Sequence, residues 1–402
     1  MSQKQENLIV VLDVGSAYTR VLAADLNEGA LRYRAHAVVE SAGMRKGLIA
    51  DLGPAARAVK SASDQAERQV RVNIDECLVG VGGPNVMGVN TTAGLNFGAR
   101  MREISKDDVS IAVERARGVS LPPDREILHL LTRQFVLDEQ PGIHDPVGMV
   151  GSRLEVDLHM STCSGSAMQS IVTCANRAGL EVTDTVFEAI AAAEATLTAD
   201  ERELGVCVLD IGAHSTELVV FFEGAVAHTG SIPFGGQHFT NDLAVVLQVP
   251  VAQAEQLKLR YGHAVVTAVP QLDEIEIRNP QPTMIRHRMV AEILEPRARE
   301  LFDMVRRSLR DGGVLGALGA GVVLTGGGAI LPGLLDVTES ILHVRARIGQ
   351  PVQLSRMPPE LTHPAYATLV GMLLYAHRKR VTRTAENNSL RAKLRAIFAA
   401  SL

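Results

Sequence analysis

The chain has 402 residues, of which 46% are hydrophobic and 21% are charged, so it is long enough for two or three domains with substantial cores. Its formal net charge of −5, its 3% aromatic content and its lack of tryptophan argue against nucleic acid as a partner. Polar residues 1–7 do not resemble a signal peptide, which predicts a cytoplasmic protein. Four cysteines without a CxxC spacing indicate small core residues, and they are Cys77, Cys163, Cys174 and Cys207.

The first predicted element is a buried strand at residues 8–12, which ends in the motif Leu-Asp-Val-Gly-Ser at residues 12–16. The motif returns almost unchanged as Leu-Asp-Ile-Gly-Ala at residues 209–213, again after a short apolar run. Two such strand-ending loops in matching context predict two related halves that grip one anion.

Each loop combines a carboxylate with groups that suit a phosphate. The glycine allows the backbone to come close to a ligand, and nearby hydroxyls offer hydrogen bonds to phosphate oxygens. Those hydroxyls belong to Ser16, Thr19, Ser215 and Thr216. Asp13 and Asp210 are placed to hold water molecules around Mg²⁺, which prefers few carboxylates and several waters. The alternative is a pair of ordinary strand-ending turns.

The segment between the two motifs has a pattern of its own. Ser105 precedes a helical pattern that puts Val109, Val113 and Ala116 on one face. A strand-like run follows at residues 127–131. Since the segment contains no cluster of catalytic residue types, the pattern favours a role in interaction.

Two helices are predicted after the second motif. One opens near the Gly-Gly pair at residues 235–236, and the next carries Glu255 and Lys258 three positions apart. Both side chains point from one helix face, which allows them to reach a ribose and an adenine edge together. A solvated ion pair between the two is the more common outcome of this spacing.

Residues 313–335 contain no charged residue and are long enough in principle to cross a bilayer. The many glycines and Pro332 argue against a stable spanning helix. The pattern instead predicts a strand at residues 321–324, three glycines at 326–328, and a helix that begins near Leu331 and Pro332. The glycines suit either close approach to a nucleotide or a tight connection that needs positive φ.

The end of the chain has the pattern of an amphipathic helix. Leu390, Leu394, Ile397 and Phe398 follow helical spacing, and the basic residues around them are Arg391, Lys393 and Arg395. On an anionic membrane the apolar stripe would be buried among acyl chains, with each basic residue contributing up to about 1 kcal/mol. The alternative is a terminal helix packed onto its own domain. The basic and polar residues 377–388 favour the detached helix.

Several further motifs resemble those of the FtsA family of actin-like bacterial cell-division proteins, and the resemblance covers essentially the whole chain. These motifs lie at residues 79–83, 121–129, 140–149, 292–297 and 324–329. The first three lie in or beside the part that separates the FtsA family from other actin relatives. They are therefore more specific than the phosphate loops, which sugar kinases and Hsp70 chaperones share.

The resemblance implies an α/β, actin-like fold of two domains around a nucleotide cleft, with an inserted α+β subdomain in the first domain and a C-terminal amphipathic helix. The implied segments are 1–83, 164–204 and 359–376 for the first domain, 84–163 for the insert, 205–235 and 312–358 for the second domain, 236–311 for its small partner-binding subdomain, 377–388 for a linker and 389–402 for the membrane-targeting helix.

By the same resemblance, ATP is the ligand, and Asp13 and Asp210 serve Mg²⁺ through water. The implied phosphate-binding residues are Gly15, Ser16, Gly212, Ala213, His214 and Ser215. The implied adenosine-binding residues are Gly236, Glu255, Lys258, Gly326, Gly327 and Gly328. Many relatives have glycines where this chain has Ala213 and His214, which restrict φ more than glycine does. We therefore expect retained ATP binding with a reshaped loop.

The resemblance also implies a function and partners. It implies a protein that polymerises at the inner face of the cytoplasmic membrane at the division septum, tethers the tubulin-like FtsZ ring there and recruits later division proteins. The C-terminal tail of FtsZ would bind the small subdomain, where Arg286 and Arg288 form a basic stretch. A solvated helix face explains the same two residues equally well.

Hydrolysis of ATP is expected to be slow at most, with the nucleotide acting mainly on conformation and assembly. Glu188 is a candidate for positioning the attacking water, although a surface carboxylate is the simpler interpretation. Two other functions stay open. One is an actin-like adaptor in pilus assembly, and the other is a small-molecule kinase of the same superfamily, for which the sequence shows no matching constellation of base and substrate pocket.

Overall fold

The computed structural model describes residues 8–27, 29–98, 101–279 and 281–382. The first half begins with long strands rich in Val, Leu and Ala. Its elements up to the insert are β1 (Leu8–Val14), β2 (Tyr18–Asn27), β3 (Ala30–Glu40), β4 (Met44–Arg45), β5 (Leu48–Ile49), α1 (Leu52–Val70) and β6 (Glu76–Val81). Helix α1 begins after Asp51, whose carboxylate accepts a hydrogen bond from the backbone N–H of Gly53 at 3.0 Å.

The inserted subdomain combines one helix with antiparallel strands. Its elements are β7 (Met87–Asn96), β8 (Arg102–Glu103), α2 (Lys106–Arg117), β9 (Arg125–Leu137), β10 (Gln140–Ile143), β11 (Val150–Gly151) and β12 (Arg153–Ser164). The predicted helix start at Ser105 is confirmed. The backbone N–H of Asp108 donates to the Ser105 hydroxyl at 3.2 Å, and the Ser105 N–H donates to the Asp108 carboxylate at 2.9 Å.

The chain completes the first half and then builds the second. The returning elements are α3 (Gly165–Arg177), β13 (Glu181–Phe187), α4 (Glu188–Thr196) and α5 (Ala199–Leu204). The second half contains β14 (Val206–Ile211), β15 (Thr216–Phe222), β16 (Ala225–Ile232), α6 (Gly236–Leu247), α7 (Val251–Tyr261), β17 (Glu274–Asn279), β18 (Gln281–Arg286), α8 (His287–Asp311), β19 (Gly321–Thr325), α9 (Leu334–Leu342) and β20 (Ala346–Ile348).

The two halves share one strand order, which agrees with the repeated motif. The sheet of the first half has the order β3-β2-β1-β6-β13, and the corresponding strands of the second half have the order β16-β15-β14-β19-β20. In each half, the strand before the motif pairs antiparallel with the next strand and parallel with a later one. Both motifs therefore follow the carboxyl end of an equivalent strand, which is where α/β sheets bind ligands.

The sheet of the insert continues the sheet of the second half. Strands β10, β9, β12 and β7 lie side by side, and β7 lies next to β16, which gives nine strands in all. The pair Met87 and Gly230 joins β7 to β16. The insert is thus connected to the first half along the chain, but it packs against an edge of the sheet of the second half.

Apolar side chains at helical and strand spacing fill the interior of both halves. Helix α8 buries the face that carries Val290, Leu294, Leu301 and Val305, and so covers one side of the second sheet. The four cysteines are free and buried, which confirms that they serve as small core residues.

The glycine-rich segment at residues 313–335 contains the predicted strand, which is β19. The following helix begins at Leu334, later than predicted, because a 3-10 turn at Gly327–Ile330 comes first and Gly333 has φ +80°. Among the helices in the described part of the chain, none is both long and apolar enough to cross a membrane.

The last described element is α10, a helix over residues 367–382. The range predicted to be a linker, 377–388, is therefore helical over residues 377–382. Within it, Lys379 pairs with Asp184 and Arg378 pairs with Glu194 at 2.8 Å, so this end of α10 is attached to the first half. The predicted membrane-targeting helix at residues 389–402 lies outside the described residues.

Candidate functional site

A cavity of about 790 Å³ lies between the two halves, and both repeated loops line it. It brings together nearly all the residues predicted to bind nucleotide and Mg²⁺. They are Asp13, Gly15, Ser16, Asp210, Gly212, Ala213, Ser215, Gly236, Glu255, Lys258, Gly326, Gly327 and Gly328. His214 is not among the lining residues and lies near Gly47, where an added Cβ would be 3.8 Å from the His214 Cβ. Its role in phosphate binding stays a prediction.

Phosphate loop 1 (residues 13–19) is held by Ser41, which follows β3. The Ser41 backbone N–H donates to the carbonyl oxygen of Ala17 at 2.9 Å, and its hydroxyl donates to that of Gly15 at 2.6 Å. The hydroxyls of Ser41 and Thr19 are 2.9 Å apart. Thr19 is 1% exposed and is not among the cavity-lining residues. Its hydroxyl therefore supports the loop from inside, in contrast to the predicted contact with phosphate.

Phosphate loop 2 (residues 210–216) is held mainly by backbone groups at the start of α6. The N–H of Gly236 donates to the carbonyl oxygen of Gly212 at 2.9 Å, and the N–H of Gln237 donates to that of Ala213 at 2.7 Å. Within the loop, the Gly212 N–H donates to the carbonyl oxygen of Ser215 at 2.9 Å. These three backbone hydrogen bonds therefore fix the path of the loop.

Ala213 and His214 stand where many relatives have glycine. Neither residue has a positive φ, so neither needs the left-handed backbone that favours glycine. Burial, followed by the nearby His238, lowers the pKa of His214 and favours its neutral ring. Thr216 is fully buried and donates to the carbonyl oxygen of Phe234 at 2.8 Å, so its hydroxyl is used inside the protein. The structure thus assigns Thr216 to loop support, in contrast to the expected phosphate contact.

The two predicted metal-site carboxylates line the cavity with different partners. Asp13 pairs with the Arg20 guanidinium, with Oδ2 and Nη1 3.1 Å apart, whereas Asp210 accepts a hydrogen bond from the Thr368 hydroxyl. Burial raises the pKa of both carboxyls, to about 6 for Asp210. Among the described side chains, no group of three or more His, Cys, Asp or Glu residues is arranged to hold a metal ion. The pair suits a hydrated Mg²⁺ that also contacts phosphates.

Glu188 lies in the cleft, so its interpretation as a surface carboxylate is wrong. It is the first residue of α4 and lines the cavity, and its carboxylate packs so closely on Gly82 that a Cβ there would collide with it. Burial, followed by the charge of Asp13, raises the pKa of Glu188 well above its usual range. The cleft therefore holds a carboxyl that is poised to accept or donate a proton.

Glu217 is a further carboxylate that lines the cavity, and it connects the two halves. Its Oε1 accepts a hydrogen bond from the backbone N–H of Gly83 at 2.7 Å and another from the Ser215 hydroxyl at 2.8 Å. Glu217 is 3% exposed, and burial together with the charge of Asp210 raises its pKa to about 7. The cleft thus brings together four carboxyl groups whose pKa values are all raised, namely those of Asp13, Glu188, Asp210 and Glu217.

The predicted adenosine side of the cavity forms where α6 and α7 meet the turn after β19. Lys258 Nζ is 2.7 Å from the Glu255 carboxylate and donates to the carbonyl oxygen of Gly236 at 3.0 Å. An added Cβ at Gly236 would lie 4.0 Å from the Cα of Gly328. The two charged side chains therefore form an ion pair and line the cavity at once. Gly326 has φ +84° and lies directly on Asp210, so a side chain there is excluded.

Sequence reasoning missed four side chains that shape the cleft, namely Arg20, Ser41, Glu217 and Thr368. Arg20 had a visible signal, since it is a charged residue in β2 directly before the apolar run at residues 21–24. The other three contact loops that are distant in sequence, and no local pattern indicates such contacts.

The basic stretch predicted to bind a partner lies outside the cavity lining. Arg286 ends β18 and is exposed, and Arg288 lies in the first turn of α8. The Arg288 guanidinium is 3.5 Å from the carboxylate of Glu292, one helical turn later. The stretch is accessible, and its role in partner binding stays a prediction.

Comparisons with known proteins agree with this architecture. The family model described as cell division protein FtsA matches residues 207–371, and the model described as the SHS2 domain inserted in FtsA matches residues 83–162. The cell division protein FtsA of Pseudomonas aeruginosa is 34% identical over 94% of this chain and 91% of its own length. That of Escherichia coli is 32% identical over 94% of this chain and 92% of its own length.

Solved structures with the same fold are more distant in sequence. The PilM-PilN type IV pilus biogenesis complex contains a chain with a TM-score of 0.64 and 17% identity, over 91% of this chain and 98% of that one. MreB5 of Spiroplasma citri bound to ADP has a TM-score of 0.57 and 15% identity, over 95% of this chain and 99% of that one. These likenesses support the actin-like fold, whereas the full-length sequence matches are specific to one family. The chain therefore belongs to the FtsA family of actin-like bacterial cell division proteins.

Proposed function

We propose that the chain binds Mg²⁺-ATP in the cleft between its halves and uses the nucleotide to control assembly at the division site. The observation that carries this proposal is the convergence of both repeated loops, two carboxylates and the glycine turn on one cavity of about 790 Å³. That volume lies within the usual range for ligand pockets, roughly 300–1,000 Å³. The MreB5 neighbour is bound to ADP, which supports a nucleotide ligand for this fold.

The residues in the cleft suit the parts of Mg²⁺-ATP. Ser16 and Ser215 offer hydroxyls beside the phosphate loops, and Arg20 offers positive charge near Asp13. Mg²⁺ supplies charge neutralisation between the phosphates and the carboxylates when it is bound. Lys258 and Glu255 line the cavity at the start of α6, where they would contact the ribose and adenine.

Hydrolysis in this site would require a group that orients or deprotonates water. Glu188 is the candidate, because it is a cavity-lining carboxyl with a raised pKa. A Glu188→Gln variant keeps the size of the side chain and removes the base. We expect it to retain ATP binding and to lose any measurable phosphate release, and unchanged phosphate release would assign the role to another group.

We also propose that residues 389–402 attach the protein to the cytoplasmic face of the membrane, and that self-assembly strengthens this attachment through multivalency. The support is the apolar stripe formed by Leu390, Leu394, Ile397 and Phe398, with basic residues beside it. Membership in a cell-division family adds that the FtsZ tail and later division proteins are the partners to test.

Co-sedimentation with anionic liposomes tests the membrane proposal. We expect the full chain to pellet with liposomes, more strongly with Mg²⁺-ATP, and a chain truncated after Asn388 to remain in the supernatant. Phe398→Glu should resemble the truncation. Phe222→Glu changes an exposed Phe in the second half and should behave as wild type. Equal pelleting of the full and truncated chains would contradict the proposal and favour a soluble actin-like adaptor.

Binding of an FtsZ C-terminal peptide tests the partner proposal. Reversal of charge at both Arg286 and Arg288 should weaken the binding of an acidic, apolar peptide, because long-range attraction at this surface is lost. Arg57→Glu, on the exposed face of α1, is the matched control. Equal affinities of the wild type, the double variant and Arg57→Glu would show that the partner binds at another surface.

A further inference from the structure

One carboxylate oxygen connects the root of the inserted subdomain with phosphate loop 2. Oε1 of Glu217 accepts the backbone N–H of Gly83, which belongs to the first half, at 2.7 Å. The same oxygen accepts the hydroxyl of Ser215, which belongs to loop 2 of the second half, at 2.8 Å. The side chain is buried, so these bonds do not compete with bulk water.

Gly83 lies where the insert begins. It follows β6, it is the first residue of the SHS2 match, and β7 starts four residues later. Its φ of +93° and the backbone oxygen of Gly47, which would be 3.1 Å from an added Cβ, fix glycine at this point. A change in the hydrogen bond of the Gly83 N–H therefore alters the backbone at the point where the insert leaves the first half.

The insert also contacts the strand that follows Glu217 in the second half. β15 leads directly into β16, and the Ser231 hydroxyl in β16 donates to the carbonyl oxygen of Val86 at 3.1 Å. The Thr229 hydroxyl in the same strand is 2.8 Å from Nε2 of His159 in β12 and 3.0 Å from the hydroxyl of Ser161. Loop 2, β15, β16 and the insert thus form one continuous series of contacts.

A cavity lies beside the contacts between the insert and β16. This cavity of about 550 Å³ opens between β7 of the insert and the end of α8, and it is lined by Gly88, Asn90, His228, Met304, Arg307, Ser308, Asp311 and Gly312. The insert and the second half also share an apolar cluster that includes Val86, Cys163 and Val226, so a small rotation of the insert would pivot on this cluster and move β7 within the space of the cavity.

We infer that Glu217 is a positioning residue that couples occupancy of phosphate loop 2 to the placement of the inserted subdomain. The inference rests on the proposed binding of ATP. When a phosphate oxygen accepts the hydrogen bond of the Ser215 hydroxyl, Oε1 of Glu217 keeps only one donor, the Gly83 N–H. A carboxylate oxygen with one donor binds that donor more strongly than one shared between two. Nucleotide therefore tightens the root of the insert, and by reciprocity the bond at Gly83 strengthens nucleotide binding.

Amide hydrogen exchange at Gly83, measured on the full chain, tests the bridge itself. Without nucleotide, Glu217→Ala should accelerate this exchange by about tenfold or more, because the N–H loses its acceptor. Glu217→Gln keeps an acceptor oxygen of the same geometry and should exchange close to wild type. Glu223→Ala, an exposed position just after β15, is the control. Wild-type exchange in Glu217→Ala would overturn the inference, and the Gln variant keeps the test valid if the Ala variant fails to fold.

The coupling is tested by the same measurement with saturating Mg²⁺-ATP. Wild type should exchange several-fold more slowly at Gly83 with nucleotide than without it. Ser215→Ala frees Oε1 from its second donor, so its Gly83 should already exchange slowly without nucleotide and should not respond further to ATP. A Ser215→Ala protein that exchanges as fast as nucleotide-free wild type would overturn the coupling.

A thermal-shift titration with Mg²⁺-ATP, run in parallel, separates the two possible failures. A clear shift with unchanged exchange at Gly83 overturns the coupling and leaves ATP binding intact. No shift at millimolar ATP overturns the proposed function and the nucleotide dependence together. Acceleration in Glu217→Ala without any nucleotide would then still support the bridge as a structural contact.

Discussion

Phosphate loops 1 and 2 have nearly the same sequence and follow equivalent strands, yet different groups hold them in place. Loop 1 is fixed by a side chain, because the Ser41 hydroxyl contacts the Gly15 carbonyl oxygen and Thr19. Loop 2 is fixed mainly by the backbone N–H groups of Gly236 and Gln237 at the start of α6, to which the Thr216 hydroxyl adds one hydrogen bond. The repeated motif thus determines where a loop lies, whereas its support comes from the half in which it is found.

The carboxylates of the two loops differ in the same way. Asp13 has a cation as its partner, Arg20, and Asp210 has a hydroxyl, that of Thr368. Arg20 also lies 5.5 Å from the ring centre of Tyr18 and 5.6 Å from that of Tyr366, which limits its movement. The carboxylate of loop 1 thus has a fixed cation beside it, whereas the carboxylate of loop 2 has a neutral hydrogen-bond donor.

The largest expected effect comes from breaking the backbone support of loop 2. A Cβ at Gly235 would lie 2.5 Å from the carbonyl oxygen of Gly212 and 2.7 Å from the carbonyl carbon of Ala213, although its φ of −160° suits any residue. Gly235→Ala should therefore displace loop 2 and weaken ATP binding by roughly a hundredfold, about 3 kcal/mol, as overpacking commonly costs. Isothermal titration calorimetry measures the change.

Gly327→Ala is the matched control, since its added Cβ would meet an atom of Ala365 at 3.9 Å, an ordinary contact. We expect its affinity for ATP to stay within a few-fold of wild type. Equal losses in both variants would mean that any added methyl group in the cleft excludes the nucleotide, and the special role of the α6 backbone in loop 2 would be refuted.

The sequence predicts the parts of this molecule that depend on local pattern. The strands that carry the two motifs and the helix capped by Ser105 follow from apolar spacing and a capping residue, and the single helix that carries both Glu255 and Lys258 is also found where it was predicted. The cleft-lining glycines at residues 326–328 are indicated by another local signal, three consecutive glycines at a strand-to-helix turn. Even the start of α9 was misplaced by only a short distance, since Gly333 rather than Pro332 marks the boundary.

The support of the cleft could not be predicted, because it comes from residues far away in the chain. Ser41 is 26 positions from Gly15, and Thr368 is 158 positions from Asp210. Serine and threonine occur in most turns, so nothing in their local sequence marks these two. The depth of Glu188 could not be predicted for a related reason, since its carboxylate lies against Gly80 and Gly82, about a hundred positions earlier in the chain.

An intermediate effect is expected from removing the side-chain support of loop 1. Ser41→Ala loses the hydrogen bond to Gly15 and the contact with Thr19, and each such bond contributes about 1 kcal/mol. ATP affinity should therefore fall by roughly tenfold, less than for Gly235→Ala because the backbone bond from Ser41 to Ala17 remains.

The control for Ser41→Ala is Ser110→Ala, which changes an exposed serine in the insert. Calorimetry on both proteins decides the question, and thermal unfolding without nucleotide separates loop disorder from general destabilisation. Wild-type affinity in Ser41→Ala would show that the backbone bond alone holds loop 1. The contrast between a side-chain-supported loop and a backbone-supported loop would then no longer hold.

The smallest expected effect is a shift in the pH dependence of Mg²⁺-ATP binding. The pKa of Asp210 is about 6, above its ordinary value, and a hydrated Mg²⁺ requires the ionised carboxylate, so affinity should fall as the pH drops through about 6. Asp210→Asn cannot titrate at this position and reports the combined titration of the nucleotide and of the other cleft carboxyls, Asp13, Glu188 and Glu217, which is subtracted. Thr368→Val removes the hydrogen bond that lowers the pKa of Asp210, so the affinity of this variant for Mg²⁺-ATP should begin to fall at a higher pH than that of wild type. Thr368→Ser keeps the hydroxyl and should match wild type. At pH 7.5 the Val variant should bind only a few-fold more weakly, because most of the Asp210 carboxylate is still ionised there. Identical pH profiles for wild type and Thr368→Val would show that the hydroxyl does not set the charge of loop 2, and that loops 1 and 2 differ in support but not in electrostatics.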